Sequence, residues 1–347
     1  MSEARRRIIS PHSLSKEEED FNWSLRPRTL DEVIGQRQIV ERLRISLLAS
    51  RSRGEPFPHA LFHGPPGLGK TTLANVIANE LGTKLHVSSG PSLTRPGDLL
   101  GVLTKLERRD VLFIDEIHRL PAAVEEYIYP AMEDFKVTFT LDKGTYASSM
   151  QINVKPFTLL GATTRMGLVS KPLRDRFGNF HHVDFYPPED LALILERSAR
   201  ILGLEISQDA VMQIARRSRG TPRVANRLLR WVRDYASVKA SGKADVRTAL
   251  DALQMEGVDD LGLTDLDRQY LSAMIRYYAG GPVGIDTLAA TLNEERDTLE
   301  DVVEPFLLKI GFIQRTKQGR QATELAYQHL GEKKPAAPHE GGLFEDG

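Results

Sequence analysis

A glycine-rich stretch that ends in a lysine and a threonine, GPPGLGKT at residues 64–71, is the part of this sequence best suited to chemistry. It matches the pattern G-x-x-x-x-G-K-[S/T], follows the apolar run HALFH and precedes a helical pattern over 70–81. Gly67 and Gly69 let backbone N–H groups face a β-phosphate, and the start of the helix adds positive potential. We expect Lys70 to reach the β- and γ-phosphates and the Thr71 hydroxyl to ligate Mg²⁺.

Polar residues end two further apolar runs. VLFIDEIH at residues 111–118 ends in two acids, of which Asp115 can hold Mg²⁺ through water and Glu116 can orient or deprotonate an attacking water. Taken alone, the pair also fits a solvated strand end. GATT at residues 161–164 offers Thr163 and Thr164, either of which can bond a γ-phosphate or the attacking water, although a threonine pair there is more often a cap.

The elements that must position these residues alternate between strands and helices from about residue 58 to 186. HALFHG, KLHVSS, DVLFID, FTLLGATT and HHVDFY are short β-rich runs, several of them apolar throughout, and helical patterns such as 36–49 and 70–81 lie between them. This alternation is typical of an open, parallel α/β sheet, which binds its ligands at the carboxyl ends of the strands. The two acids and the threonines are therefore expected at one edge of the sheet, together with the glycine-rich loop.

The pattern then changes to helices only, near 189–203, 207–218, 222–240 and 244–255. GTPRVANRLL places Thr221 as an N-cap and Pro222 at the first helical position. Helices near 264–279, 284–292 and 295–309 follow, and GFIQRTKQGRQAT reads as a two-stranded ribbon that turns at 317–319, which favours a winged helix. We predict five segments: a loosely ordered 1–20, an ATPase sheet domain 21–186, a helical lid 187–258, a winged-helix domain 259–331, and a disordered tail 332–347.

Composition narrows the function classes. The chain has no cysteine, which excludes disulfides, thiolate catalysis and thiolate metal sites, and no apolar run approaches the length of about 20 residues that a membrane helix needs. It has 46 lysines and arginines against 47 acids, so binding of nucleic acid requires that the charges be segregated.

Such segregation is visible between 305 and 323, where four basic residues and no acid occur: Lys309, Arg315, Lys317 and Arg320. A solvated ribbon explains them about as well as a phosphate-binding surface does. The preceding segment 294–304 carries six acids against one base, Arg296, and would be repelled from a major groove. We therefore expect sequence-independent binding through the wing and Arg296.

With these motifs in order, the chain resembles the AAA+ ATPases and, within them, the RuvB family of bacterial Holliday-junction branch-migration motors. The resemblance covers about 22–330 and rests on RPRTLDEVIGQ, HGPPGLGKTTLA, DVLFIDEIHRL, YPAMEDF, PFTLLGATTR, RDRFG, GTPRVANRLLR and GFIQRTKQGRQAT. It implies an α/β fold with a P-loop NTPase parallel sheet, a helical lid and a winged helix, and ATP and Mg²⁺ at the site. It also implies a homo-hexameric ring on double-stranded DNA at four-way junctions, with RuvA as partner and the resolvase RuvC in the same pathway, in the cytoplasm and without a membrane.

The resemblance also assigns roles to residues that composition and spacing leave open. In PLRDRFGNF (172–180), two arginines beside Asp175 read equally well as surface ion pairs, but the family places there the arginine finger that reaches a neighbouring subunit's γ-phosphate. Arg176 is then the finger, Arg174 a supporting contact, and Arg223 the lid residue called sensor 2. Tyr186 is expected on the adenine, although a core tyrosine at a strand end explains it as well. Further positions implied at the nucleotide are Leu25, Arg26, Thr72, Glu133, Asp134 and Phe135, and those implied at DNA are Arg296, Arg315 and Arg320.

One segment departs from the family pattern. The predicted hairpin 137–154, which docks on RuvA in relatives, has the unusual tip LDKGTYASSMQ, and we expect Val137, Phe139 and Leu141 to present an exposed apolar face. Two other interpretations remain. A clamp-loader-type AAA+ ATPase shares the sheet and lid but lacks the winged helix, and a nucleotide-gated DNA-binding regulator would not need Glu116, Arg176 and Arg223 together.

Overall fold

A computed structural model of the chain describes residues 25–140 and 149–333, which fall into two compact units divided between Leu253 and Gln254. The segments that the sequence predicts to be loosely ordered, 1–20 and most of 332–347, lie outside the described residues. No helix in the described ranges is long and apolar enough to cross a membrane.

The first unit is built on a five-stranded parallel sheet. Its strands are β1 (Ala60–His63), β2 (Leu85–Ser89), β3 (Val111–Asp115), β6 (Thr158–Thr163) and β7 (Asn179–His182), in the spatial order β2-β3-β6-β1-β7. All residues of β6 are buried, as are all but the last of β1 and β3, because helices cover both faces of the sheet. The predicted parallel α/β sheet is confirmed.

One strand boundary was predicted wrongly. The run HHVDFY (181–186) was expected as the fifth strand, whereas β7 begins at Asn179 and ends at His182. After β7 the chain bonds to the helical lid region, where the Tyr186 N–H donates to the carbonyl of Gly220, just before the helix Pro222–Lys239. This bond has a length of 2.8 Å.

The helices of the sheet region follow the predicted periodicity. Their bounds are Arg37–Arg53, Lys70–Leu81, Pro96–Leu103, Ala122–Glu133 and Lys171–Arg174. Helix Lys70–Leu81 has the predicted bounds and ends at Gly82 in the left-handed conformation, which frees the chain to turn back to β2.

The lid region contains helices Pro188–Leu202, Gln208–Arg216, Pro222–Lys239 and Val246–Met255. Thr221 caps the third of them, its side chain accepting from the Val224 N–H at 3.4 Å with Pro222 next to it, so the predicted cap is confirmed. The expectation of helices only is wrong in one detail. Residues Glu205–Ile206 (β8) and Lys243–Ala244 (β9), each of which shortly precedes a helix, form a short parallel pair.

The predicted hairpin forms from β4 (Lys136–Thr140) and β5 (Ser149–Asn153), while Leu141 and the rest of the tip up to residue 148 lie outside the described residues. Its expected exposed face is wrong. Val137 is fully buried in the sheet-domain core, and Phe139 packs against that core with its ring 4.6 Å from the ring of Tyr127. The alternation arises because this face packs inward on the helix Ala122–Glu133.

The second unit is the predicted winged helix. Helices Asp265–Tyr278 and Ile285–Leu292 precede a third, which runs as Arg296–Thr298, a π-helical turn Leu299–Val303, and Glu304–Lys309. The π-turn precedes Pro305, which lacks the N–H needed to continue a regular helix. Strands β10 (Ile313–Thr316) and β11 (Gly319–Ala322) form the wing, and helix Glu324–Leu330 follows it.

Candidate nucleotide-binding site and DNA-binding wing

The site residues predicted at strand ends meet with the glycine-rich loop at the carboxyl edge of the sheet. Strands β3, β6 and β1 are neighbours and end at Asp115, Thr163 and His63 respectively. The glycine-rich loop leaves β1 at this edge, where the Gly64 N–H donates to the Thr163 carbonyl at 3.2 Å. Gly64 has φ 142°, and a Cβ there would lie 2.1 Å from the Val183 carbonyl oxygen, so no larger residue fits.

The loop itself holds the Lys70 side chain through two of its own carbonyls. Its Nζ donates to the carbonyls of Gly64 and Pro65, both at 2.8 Å, and its side chain is buried. Burial lowers the pKa of Lys70 to about 8, a shift that Asp115 opposes and Arg223 adds to. Gly67 and Gly69 have φ of 79° and 98°, which turns backbone N–H groups toward the inside of the loop.

Thr71 and Thr72 follow Lys70 in the first turn of this helix, both partly buried. The Thr71 hydroxyl and the Asp115 carboxylate are hard oxygen donors of the kind that Mg²⁺ prefers. A buried ammonium held by carbonyls, a loop with two glycines at positive φ, and two oxygen donors together fit a nucleoside triphosphate with Mg²⁺.

Glu116 stands on a strained turn directly after β3. Its φ is 46°, in the left-handed region that is unusual for a residue with a side chain, and its own N–H donates to Asp115 Oδ1 at 2.9 Å. The Glu116 carboxylate is about half exposed and accepts from Arg119 Nη1 at 3.2 Å. The carboxylate after this turn is therefore accessible to solvent.

The two threonines that the sequence leaves equivalent have different surroundings. Thr163 is buried, its Oγ1 accepts from the Arg165 N–H at 3.0 Å, and it lies 3.0 Å from Nδ1 of His118. Thr164 is partly exposed. The sequence gives no signal for His118 beyond its place two residues after Glu116, yet it joins the acidic turn after β3 to the end of β6.

The lid reaches the loop through Arg223 and Tyr186. The Arg223 N–H is 3.4 Å from the Gly67 carbonyl, and a Cβ on Gly67 would lie 3.1 Å from Arg223 Cβ. Tyr186 is buried with its hydroxyl 3.4 Å from the Leu68 carbonyl, and burial raises its pKa to about 12. It therefore lies against the phosphate-binding loop and packs its ring on Gly35.

The N-terminal segment is tied to the same lid. Leu25 is buried, and the carbonyls of Leu25 and Arg26 accept from the Arg197 guanidinium at 3.2 and 3.4 Å. Arg197 also pairs with Glu32 at 2.8 Å. Both residues predicted from the resemblance thus stand where the lid meets the sheet domain.

Arg176 is held by the helix Ala122–Glu133. Its guanidinium lies 4.4 Å above the centre of the Tyr129 ring, Nη1 donates to the Pro172 carbonyl at 2.8 Å, and Nε is 3.2 Å from Glu133 Oε1. Its acidic neighbour in space is therefore Glu133 and not the adjacent Asp175 that the surface-pair interpretation proposed. Arg174 is half-buried and lies two residues earlier, at the end of the short helix Lys171–Arg174.

The segment Glu133–Phe135 surrounds this position. Glu133 and Asp134 are exposed, and Phe135 has φ 53° and accepts from the Val154 N–H at 2.7 Å. Glu133 and Arg176 are 43 residues apart in the sequence, so only the fold brings them together.

The basic residues of the wing have partners that the sequence did not predict. Arg315 and Arg320 lie directly opposite each other on β10 and β11, and both bind Glu304, whose side chain is fully buried. Arg320 Nε donates to Glu304 Oε1 at 2.7 Å, and Arg320 Nη2 donates to Glu300 Oε1 at 3.0 Å. The two arginines differ in exposure: 16% of the Arg320 side chain is exposed, whereas about half of the Arg315 side chain is exposed.

Glu304, counted with the acids of 294–304 that would repel DNA, is in fact buried and paired. Besides the arginines it accepts from the Tyr270 hydroxyl at 3.0 Å, and burial together with Glu304 raises the pKa of Tyr270, which keeps that hydroxyl a donor. The sequence does contain one indication of this burial, because Glu304 lies among the apolar residues Val303, Phe306 and Leu307. Arg296 is exposed and pairs with Asp286 at 3.4 Å and Glu300 at 3.3 Å.

Known proteins resemble this chain along nearly all of the described length. Family models match in three consecutive parts: the Holliday junction DNA helicase RuvB P-loop domain over residues 25–183, the RuvB AAA lid domain over 186–259, and the RuvB C-terminal winged helix domain over 260–331. The match to a winged helix domain over 260–331 excludes a clamp loader, which lacks that domain.

Two relatives are the Holliday junction branch migration complex subunits RuvB of Desulfosudis oleivorans and Myxococcus xanthus. They are 56% and 54% identical over 93% and 92% of this chain, and 94% and 93% of their own lengths. The solved Thermotoga maritima RuvB Holliday junction branch migration motor superposes with a TM-score of 0.83 at 49% identity, covering 90% of this chain and 99% of that one. This chain belongs to the RuvB family.

Proposed function

We propose that the chain is the ATP-driven motor subunit of a Holliday-junction branch-migration complex, acting in recombination and DNA repair. As a member of the RuvB family it is an AAA+ P-loop ATPase. The observation that carries the proposal is that the phosphate-binding Lys70, the acids Asp115 and Glu116, and Thr163 meet at one sheet edge in a chain that ends in a winged helix.

The roles at the nucleotide follow from these positions. Lys70 would exchange its carbonyl partners for β- and γ-phosphate oxygens, and Thr71 and Asp115 would hold Mg²⁺, which would neutralise phosphate charge. Glu116, accessible on its strained turn, orients and deprotonates the attacking water. Thr163 and Thr164 both remain candidates for the γ-phosphate sensor, and the bond of Thr163 to His118 favours a sensor that also reports to the acidic turn.

The lid completes the site. Tyr186 is proposed to pack against the adenine, Leu25 and Arg26 to frame it, and Arg223 to report the nucleotide's state to the lid helix. Support comes from the contacts of Arg223 and Tyr186 with the phosphate-binding loop. The ADP- and ATP-bound states then differ in how the lid is held.

Arg176 is proposed to serve a neighbouring subunit's nucleotide in a homo-hexameric ring, with Arg174 in support and Glu133, Asp134 and Phe135 on the same face. An arginine supplied in trans stabilises transition-state charge and makes hydrolysis depend on assembly. The proposal is supported by the contacts of the Arg176 guanidinium with Tyr129 and Glu133, which belong to the helix Ala122–Glu133.

The winged helix is proposed to bind duplex DNA at four-way junctions without sequence preference, through Arg296, Arg315 and Arg320. RuvA is the proposed docking partner of the hairpin 137–154, RuvC acts in the same pathway, and the complex works in the cytoplasm. The inward packing of Val137 and Phe139 leaves Met150, which is 45% exposed, as the apolar side chain of the described hairpin offered to a partner.

The test is ATP-dependent dissociation of a synthetic four-way junction, with and without RuvA. The expected result is dissociation that requires ATP and Mg²⁺ and is stimulated by RuvA. Junction binding without DNA-stimulated ATP hydrolysis would instead identify a nucleotide-gated regulator and overturn the motor.

A further inference from the structure

The side chain that supports Arg176 is an aromatic ring and not only a counterion. The guanidinium carbon lies 4.4 Å from the centre of the Tyr129 ring, within the range of a cation–π contact. The ring holds the guanidinium in place without neutralising it, so the charge stays available for a phosphate. Besides the Pro172 carbonyl, the guanidinium contacts Glu133, whose side chain is more than half exposed, and an ion pair to so exposed a carboxylate is weak and readily exchanged.

The Tyr129 ring is itself fixed by a buried carboxylate. Its hydroxyl donates to Glu125 Oε2 at 2.7 Å, one helical turn earlier, and Glu125 is only 7% exposed. Burial is the largest influence that raises the pKa of Tyr129, so the phenol keeps the proton that it donates. Burying a carboxylate costs free energy unless hydrogen bonds satisfy its oxygens. Glu125 therefore needs the Tyr129 hydroxyl as a donor, and this need fixes the position of the ring.

The same carboxylate also holds the segment that carries Arg176. Ser170 Oγ donates to Glu125 Oε2 at 2.6 Å, while Ser170 caps the short helix Lys171–Arg174 by accepting from the Leu173 N–H at 3.3 Å. One oxygen of Glu125 therefore joins the ring beneath Arg176 to the start of the helix that leads to Arg176. Both the ring beneath Arg176 and the cap of its segment are thus bonded to the helix Ala122–Glu133.

We propose that Tyr129, locked by Glu125 and Ser170, is a positioning residue for the Arg176 finger. The inference rests on the proposed role of Arg176 in the neighbour's active site. The ring sets the height and direction of the guanidinium, Glu133 holds it between turnovers, and the neighbour's γ-phosphate replaces Glu133 as its partner. The Glu125–Tyr129–Ser170 group carries no contact to the subunit's own phosphate-binding loop among the bonds described, so its effect is expected on turnover and not on ATP affinity.

The first measurement compares kcat and ATP affinity in Tyr129→Leu, which removes the ring, and Tyr129→Phe, which removes only the hydroxyl. Misplacing a catalytic group by about 1 Å can cost on the order of 100-fold, so Tyr129→Leu is expected to lose about 10- to 100-fold in kcat with an unchanged ATP Kd. Tyr129→Phe is expected to lose about 2- to 10-fold, the worth of one hydrogen bond. Tyr127→Leu is the matched control, since Tyr127 lies on the same helix but packs against Phe139.

The second measurement separates a positioning role from damage to the fold. Rings that contain both Tyr129→Leu and Lys70→Ala subunits have some complete interfaces. At these interfaces the Tyr129→Leu subunit supplies an intact phosphate-binding loop, and the Lys70→Ala subunit supplies Arg176 supported by Tyr129. ATP hydrolysis should therefore exceed the sum of the two separate variants. Rings of Tyr129→Leu mixed with Arg176→Ala share one defect and should not recover.

Arg176→Ala mixed with Lys70→Ala tests the underlying proposal in the same experiment. If co-assembled rings of that pair stay inactive, the trans role of Arg176 fails. If they recover while Tyr129→Leu with Lys70→Ala does not, or if Tyr129→Leu weakens ATP binding as much as it slows turnover, Tyr129 is a structural residue and the inference is overturned.

Discussion

Replacing Arg320 by methionine tests whether this arginine stabilises the winged-helix unit, in addition to any contact that it makes with DNA. The change keeps the length and apolar stem of the side chain and removes its charge. In the structure it leaves Glu304, fully buried, with Arg315 and the Tyr270 hydroxyl as its remaining partners. It also removes the bond from Arg320 to Glu300.

The cost follows from the burial of Glu304. Removing one partner of a buried ion pair costs about 3–5 kcal/mol, because a charge is left uncompensated. Here Arg315 still binds Glu304 and can be reached by water, since about half of it is exposed, which reduces the penalty. We expect a loss of about 2–3 kcal/mol in the stability of the winged-helix unit, equal to about 30- to 150-fold at 1.36 kcal/mol per tenfold.

The assay is amide hydrogen exchange in the full chain without DNA, read at the helices Asp265–Tyr278 and Glu304–Lys309. Protection of the slowest amides there should fall by the same 30- to 150-fold, while the sheet domain is unchanged. Lys317→Met is the control, because it removes the same charge from the exposed turn of the wing. Protection in Arg320→Met within about threefold of the unmodified chain would refute the reasoning.

DNA binding is then measured in variants that remain folded. Arg315→Met should weaken binding equally on unrelated duplexes and reduce the slope of log affinity against log salt by about 1, as loss of one phosphate contact does. A loss confined to one sequence would contradict sequence-independent binding.

Three further predictions concern the nucleotide site. Glu116→Gln should bind ATP with unchanged affinity but barely hydrolyse it, and should accumulate as rings on DNA, because Lys70, Thr71 and Asp115 survive while activation of water is lost; steady-state turnover near that of the unmodified chain would remove Glu116 from this role. Arg176→Ala should bind ATP normally and lose up to about 10³-fold in hydrolysis, with activity partly restored on mixing with Lys70→Ala, and co-assembled rings no more active than the sum of the parts would contradict the finger. Lys70, with its pKa lowered to about 8, is largely unprotonated at pH 8.5 in the free protein and regains its proton on meeting the phosphates. Calorimetry of ATP binding at pH 8.5 in two buffers should detect uptake of about half a proton or more, which Lys70→Arg should lack; equal uptake in both would show that another group titrates.

Local sequence decided the elements and the family, because their signals lie within short windows. The phosphate-binding loop needs glycines at fixed offsets before a helix, and apolar runs that end in Asp115 or Thr163 place those residues at the carboxyl edge of any parallel sheet. Strand order then brings them together, and the predicted arrangement of sheet, helical lid and winged helix is confirmed. Thr221 and Pro222 fixed the start of their helix for the same local reason.

Only the tertiary structure determined which charged side chains are buried and paired. Sequence places Arg320 in a basic stretch and Glu304 in an acidic one, and only the pairing of β10 with β11 over the third helix joins them in a buried cluster. In the same way, Glu125 meets Ser170 across 45 residues, and Arg176 meets Tyr129 although nothing in either segment indicates it. Burial and ion pairing depend on distances between segments far apart in the chain, and a one-dimensional pattern contains periodicity and spacing but not those distances.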